Sequence, residues 1–253
     1  MTKISHISCV IIVKNAEATL KNVLDALHAF QEVIVYSNNS IDATDIIAAS
    51  YENVKLIQGE FIGFGPTKNL AATYATNSWI FSLDADEVVT KEFIENLAQT
   101  KLSKEYVYSI LRTNFYKKRE IKHCWAADEI IRIYNKEVTA FTDKHVHEHI
   151  MQKDLQKKMV FGLVKHYTYT SIEEFINKAN TYSTLFAQNN AGKKSSSPVK
   201  AFFNGAFSFI KTYFFKQGFR DGYAGLLIAY SHMITNFYKY LKLYELNEEL
   251  KKK

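Results

Sequence analysis

Along the first hundred residues, short β-branched runs alternate with stretches of helical spacing. Ile7–Val13, Val33–Tyr36, Val54–Gln58 and Trp79–Leu83 read as near-continuous apolar strands, and Ala16–Phe30, Ala43–Tyr51 and Pro66–Ala75 as the helices between them. Strands with no polar face, separated by helices, predict a parallel sheet covered on both sides, hence an α/β fold. Ligands on such sheets bind beyond the carboxyl ends of the strands. Polar clusters stand at those positions: Lys14-Asn15-Ala16-Glu17 after the first strand, Ser37 to Asp42 after the second, and Asp84-Ala85-Asp86-Glu87 after the fourth.

The pattern then shortens. Tyr106–Arg112, Ile130–Tyr134 and Val160–Leu163 read as strands extending the same domain, and helical spacing returns after Ser171, an N-cap ahead of Glu173 and Glu174. Gly192 to Pro198 is the best linker, and no internal repeat is present. The expected organisation is residues 1–100, 101–170 and a helical C-terminal region, 171–253. In that last region Phe202, Phe203, Phe207, Phe209, Tyr213, Phe214, Phe215, Phe219 and Tyr223 are interleaved with Lys200, Lys211, Lys216 and Arg220. Ser231, His232, Thr235 and Asn236 interrupt the uncharged stretch that follows, so a helix lying along an anionic membrane surface is expected rather than a spanning one. Packing on the protein's own core or on a second subunit is the alternative.

Composition narrows the class. At 253 residues, 47% hydrophobic and 23% charged, the chain can bury a sizeable core and is too apolar to be disordered. Nine Gly and two Pro argue against collagen-like or many-turned all-β chains. Thirty-two Lys and Arg against 26 Asp and Glu leave +6, which favours anionic partners. Nucleic acid is the weaker choice, because the aromatics lie in long apolar helical stretches. Cys9 and Cys124 form no metal or disulfide spacing, and the first apolar run stops at Lys14, short of a signal-peptide core, so a cytoplasmic protein, peripheral on the inner membrane face, is expected.

Asp84 and Asp86 end the fourth strand. Two carboxylates at i and i+2 of a strand point the same way and can share one hard divalent cation, magnesium or manganese, which takes carboxylate and phosphate oxygens. A pair of acids at a strand end is by itself a weak signal. Its position after a βαβαβ half strengthens it.

The runs Ile11-Ile12-Val13-Lys14-Asn15-Ala16-Glu17, Val33 to Thr44, Gly63-Phe64-Gly65-Pro66-Thr67-Lys68-Asn69 and Ser82 to Glu87 occur in an order that resembles family-2 inverting glycosyltransferases. The chain is similar to the lipopolysaccharide-core β-glucosyltransferase-like members. The likeness continues through Trp125, Asp128 and Arg132 to Val146-His147-Glu148 and the region of Tyr182-Ser183. It implies a GT-A type, Rossmann-like domain that binds a nucleotide-diphosphate sugar and a divalent metal. It also implies transfer of a hexose, with inversion, to a lipid-linked or lipopolysaccharide-core acceptor. A polyprenyl phosphate or surface-polysaccharide intermediate is the alternative acceptor, and a non-catalytic membrane-surface protein the contrasting reading.

On this resemblance Asp86 is the first-choice metal ligand, with Asp84 nearer the ribose or the metal. Inversion in one step needs a carboxylate base opposite the leaving group, and Asp128 and Glu148 are both candidates. A salt bridge from Asp128 to Arg132 at i+4 is the structural alternative. Trp125, Arg132 and His147 would face the acceptor. Lys14, Asn15, Glu17, Ser37 and Asp42 would line the nucleoside pocket, and Lys68 would either reach the diphosphate or stand as a solvated helix lysine. His145, His147 and His149 alternate, which could suggest a metal site, but no catalytic zinc is implied. Two positions depart from the pattern: Ser37 stands where members commonly carry Asp, and Asn39 where they carry Gly. Asn tolerates left-handed backbone, so the turn survives, whereas the loss of a carboxylate at Ser37 leaves the nucleobase preference open.

Overall fold

The chain's structure, a computed structural model, describes residues 3–143 and 148–252. It divides into two units, residues 1–113 with 127–166, and residues 114–126 with 167–253.

The first unit is built on β1 (Ile7–Val13), β2 (Val33–Ser37), β3 (Val54–Gln58) and β4 (Trp79–Asp84), with α1 (Glu17–Asp25), α2 (Thr44–Ala49) and α3 (Phe64–Thr73) between them. These four strands lie in the order β3-β2-β1-β4 and are all parallel. Alternate residues of β1 feed two cores, as the two-residue strand period requires. Cys9, Ile11 and Val13 pack with Leu20, Val23 and Leu24 of α1, while Val10 packs with Ala71 and Ala72 of α3 on the opposite face. The covered parallel sheet expected from the apolar runs is therefore present.

The sheet continues with antiparallel strands: β8 (Asp128–Asn135) beside β4, then β6 (Tyr106–Tyr116), β9 (Gln156–Tyr169) and β5 (Glu87–Val89). A helix absent from the reading of the sequence, α4 (Lys91–Gln99), follows β5. The Thr90 side chain caps it by accepting from the Phe93 N–H, and Phe93, Ile94 and Leu97 enter the core. Gly162 lets β9 pass close to it: its φ is +104°, and a Cβ there would lie 2.5 Å from the Phe93 Cα.

The second unit carries β7 (Arg119–Ile121), paired with the end of β6, and three helices, α5 (Ile172–Asn190), α6 (Pro198–Ile210) and α7 (Gly222–Lys251). Ser171 caps α5 as expected, accepting from the Glu174 N–H, and the predicted linker separates α5 from α6. A π-helical turn, Lys211–Phe215, and a 3-10 turn, Gly218–Asp221, join α6 to α7. Among the described residues no helix is long and apolar enough to cross a membrane. Buried Asp221 holds the segment after β7: its carboxylate accepts from the N–H groups of Lys122, His123 and Cys124 at 2.9–3.1 Å.

Candidate active site

The topology fixes where a ligand can sit. The chain runs from β1 to β2 and β3 on one side and returns to β4 on the other, so the crevice where the order reverses lies beyond the carboxyl ends of β1 and β4. Ile12 and Asp84 are register partners across those strands, which sets Asp84 beside the start of the Lys14–Glu17 loop.

Around Asp84 the first unit assembles one ladder of alternating charges. Glu148 Oε1 accepts from Lys68 Nζ at 2.9 Å, and the same ammonium donates to Asp84 Oδ1 at 3.0 Å. Asp84 Oδ2 accepts from Arg132 Nη2, which also donates to Glu87 Oε1 at 2.9 Å. Glu87 Oε1 accepts in turn from Arg112 Nη1 at 2.8 Å, and Arg112 grips Asp128 with Nε and Nη2 at 3.1 and 2.8 Å. Seven side chains, four acids and three bases, thus run from Glu148 to Asp128. The two candidate bases are its two ends.

Burial sets the electrostatics. Burial alone would raise the Asp84 carboxyl, but Arg132 and Lys68 outweigh it and hold the group far below the usual carboxylate range. Asp84 and Glu87 in turn push the Arg132 guanidinium up against its own desolvation, and Asp128 and Glu87 do the same for Arg112. Glu87 is fully buried, and its second oxygen accepts from the Asp84 N–H at 3.0 Å, fixing the end of β4. One donor in this network, the Arg132 Nε, is buried without a hydrogen-bond partner. Arg132, Phe141, Glu148 and His149 line a cavity of about 390 Å³.

Several expectations change here. Strand β4 ends at Asp84 and the chain turns through Ala85 and Asp86, so the two carboxylates do not share a strand face. Asp84 is held by Lys68 and Arg132, whereas Asp86 Oδ2 faces His166 Nε2 at 3.3 Å. The i,i+4 pair of Asp128 with Arg132 does not form, because β8 is extended and four residues span roughly 13 Å along a strand. Asp128 pairs with its cross-strand register partner, Arg112. Lys68 is no solvated lysine: it is 4% exposed.

The loops after β1 and β2 are tied to each other. Asn15 Oδ1 accepts from the Ile41 N–H at 3.0 Å, Glu17 Oε2 from the Ala43 N–H at 3.0 Å, and Asp42 Oδ2 from the Glu17 N–H at 3.2 Å. Ser37, fully buried, donates to Ser40 Oγ at 3.0 Å. Asn15 and Asn39 adopt φ of +50° and +52°, the left-handed conformation that Asn accommodates. Lys14 is exposed at the mouth of this pair of loops.

Trp125 belongs to the second unit, where its ring stacks on Tyr169 and Phe175 at 5.5 and 6.1 Å. His145 and His147 lie outside the described residues, and His149 is exposed. Among the described residues no group of three His, Cys, Asp or Glu is gathered as a metal site. Asp86 and His166, an oxygen and a nitrogen donor 3.3 Å apart, are the two side chains that would hold a divalent ion there. The charge balance agrees: the ladder sums to −1 and Asp86 adds another. The reading of the sequence gave no role to Glu87, Arg112 or His166. Glu87 closes the Asp84–Glu87 run, and Arg112 ends an apolar strand; both positions were visible signals.

Comparison with known proteins bears on the same segment. Residues 8–162 match Glycosyl transferase family 2. A Rickettsia typhi protein described as an uncharacterized glycosyltransferase is 28% identical, over 95% of this chain and 87% of its own. The lipopolysaccharide core biosynthesis glycosyltransferase LpsC of Rhizobium meliloti is 23% identical, over 94% and 92%. Among solved structures, S. aureus TarS 1–349 in complex with UDP aligns with a TM-score of 0.47 at 14% identity, covering 97% of this chain and 91% of that one. The family match takes in more than half of the sequence and all seven residues of the ladder, and the chain belongs to glycosyl transferase family 2.

Proposed function

We propose that this family-2 member transfers a hexose from a nucleotide-diphosphate sugar to a lipid-linked or lipopolysaccharide-core acceptor, in a single inverting displacement. The observation that carries the reading is the ladder of four acids and three bases at the strand-order reversal, with Asp86 and His166 beside it. The relative LpsC, a lipopolysaccharide core enzyme by name, supports the acceptor class.

The loops bearing Lys14, Asn15, Glu17, Ser37 and Asp42 hold the nucleoside, cross-linked before it arrives so that little ordering entropy is spent on binding. Asp86 and His166 hold the divalent ion, magnesium or manganese. Bound there, it supplies Lewis-acid stabilisation of the diphosphate leaving group. Asp84, with both oxygens given to cations, is a positioning residue that keeps Lys68 and Arg132 aimed at the crevice. Arg132, through its unpartnered Nε, offers a further donor to the donor or acceptor.

Glu148 is the better base of the two candidates. Arg112 takes both oxygens of Asp128 in a bidentate grip, which leaves neither free to face an acceptor hydroxyl, whereas Glu148 gives one oxygen to Lys68 and lines the cavity. The test is nucleoside diphosphate release from a panel of nucleotide sugars with manganese. Turnover with at least one donor, lost on Asp86→Ala and on Glu148→Gln, supports the reading. A folded protein inert toward every donor overturns it.

A further inference from the structure

Charge is distributed unevenly along this chain. Residues 175–244 hold nine Lys and Arg and a single acid, Asp221, giving +8 where the whole protein carries +6. Asp221 is buried on the N–H groups of Lys122 to Cys124 and offers nothing to the surface. Among the described residues none of the nine cations is paired with a carboxylate.

Helix α6 presents two unlike faces. Ala201, Gly205, Ser208 and Thr212 recur at helical spacing, and this side packs on α7. Gly205 is pressed so close that a Cβ would lie 3.1 Å from the Met233 carbonyl oxygen, and Asn236 donates to Ser208 Oγ at 2.9 Å. The opposite stripe, Val199, Phe203, Phe207, Ile210 and Phe214, also recurs at intervals of three and four, and every member faces solvent. Phe202 and Phe215 flank it, Phe215 at 72% exposure. Lys200, Lys211, Lys216 and Arg220 are exposed along the same segment.

A contiguous row of exposed rings among cations marks an interaction surface, since soluble proteins seldom leave such rows uncovered. We propose that this face of α6 docks the protein on an anionic phospholipid bilayer, its rings at the acyl boundary and its cations at the headgroups. Charge selects the occupant. A second copy would set one +8 region against another, whereas an anionic membrane neutralises both the cations and the apolar row. The stripe offers no hydrogen-bonding side chain that could read a polynucleotide. Because α6 packs through its small-residue side, its exposed residues can be changed without touching its contacts with α7.

Flotation of the full chain with vesicles of phosphatidylcholine, with and without 30% phosphatidylglycerol, tests this without any nucleotide sugar, so its outcome is independent of the catalytic proposal. The expected result is binding to the anionic vesicles alone, at least tenfold weaker in 0.5 M salt. Phe203→Ser with Phe207→Ser, and separately Lys211→Glu with Lys216→Glu, should each lower binding at least tenfold while the melting temperature and circular dichroism stay those of the parent. Binding unchanged by both pairs of substitutions overturns the proposal. So does equal binding to neutral vesicles, a concentration-dependent dimer lost with the Phe pair, or tighter binding to an oligonucleotide than to the anionic vesicles.

Discussion

At the residue scale the ladder's logic rests on Glu87, the one acid that touches both arginines. Removing one partner of a buried ionic network leaves the others uncompensated, which costs about 3–5 kcal/mol. Glu87→Ala should therefore lower unfolding stability by roughly that amount in denaturant titrations, whereas breaking the solvent-exposed pair Lys21–Asp25, 2.8 Å apart on α1, should leave the unfolding midpoint almost unchanged. Lys68→Met should leave Asp84 paired with Arg132 alone and Glu148 without a cation among the described residues. It should raise the KM for the nucleotide sugar and lower kcat, since the side chain that holds Asp84 and Glu148 in place is gone. Steady-state kinetics would show it. The ladder's members were legible as residue types, and Asp84, Lys68, Arg132, Asp128 and Glu148 were all singled out from the sequence. Their pairing was not, because each contact joins residues between 16 and 80 positions apart, and no local spacing encodes which strand neighbours which.

At the scale of elements, β1 and β3 have the bounds read from their apolar runs, and β2 and β4 each run one residue further. Strands β1, β2 and β4, buried along nearly their whole length, carry no charge before their last residue and so announce their own length. Strand β3, half-buried at the sheet edge, is still read from Val54, Leu56 and Ile57 although Lys55 and Gln58 stand in it. The later strands were harder. β9 spans Gln156–Tyr169, but only Val160–Leu163 was read from it, because a strand covered on one face carries Lys157, Lys158 and Lys165 within it. Helix α4 escaped notice although Thr90, Phe93, Ile94 and Leu97 hold the cap and the amphipathic spacing; nine residues give too short a period to stand out. Element-level predictions follow from two tight positions. Gly162→Ala should destabilise by more than about 1 kcal/mol, since a Cβ would meet the Phe93 backbone at a φ of +104°. Asp221→Ala should cost on the order of 3 kcal/mol, because three backbone N–H groups lose their acceptor. Differential scanning calorimetry reads both.

Over the whole molecule, the α/β, GT-A-type expectation holds with the family and the helical region expected after Ser171 is present as α5 to α7, while the antiparallel pairing of the later strands is what the alternation in the first hundred residues could not announce. The two units should respond to acid in different windows. In the second, burial depresses His232 to about 4, with Lys216 and Lys239 adding to it, beside Thr212 Oγ1 at 2.9 Å and the Trp125 ring. A depressed pKa means the neutral imidazole belongs to the folded state. Its contribution is complete above about pH 6.5 and is lost as pH falls from there through 4. Asp84 in the first unit is depressed by Arg132 and Lys68, so its contribution is present above about pH 4 and is lost only below that. Thermal melts from pH 7 to 3 should show two successive losses, and His232→Asn should flatten the first alone.

The central claim is that the carboxyl edge of the N-terminal sheet binds a nucleoside diphosphate together with a divalent ion held by Asp86 and His166. Isothermal titration of UDP and GDP into the protein, with and without manganese, measures it directly. The account predicts manganese-dependent binding of at least one nucleotide, weakened more than tenfold by Asp86→Ala and by His166→Ala, with the melting temperature of each variant close to the parent's. Binding that ignores manganese, or that survives both substitutions, would contradict it.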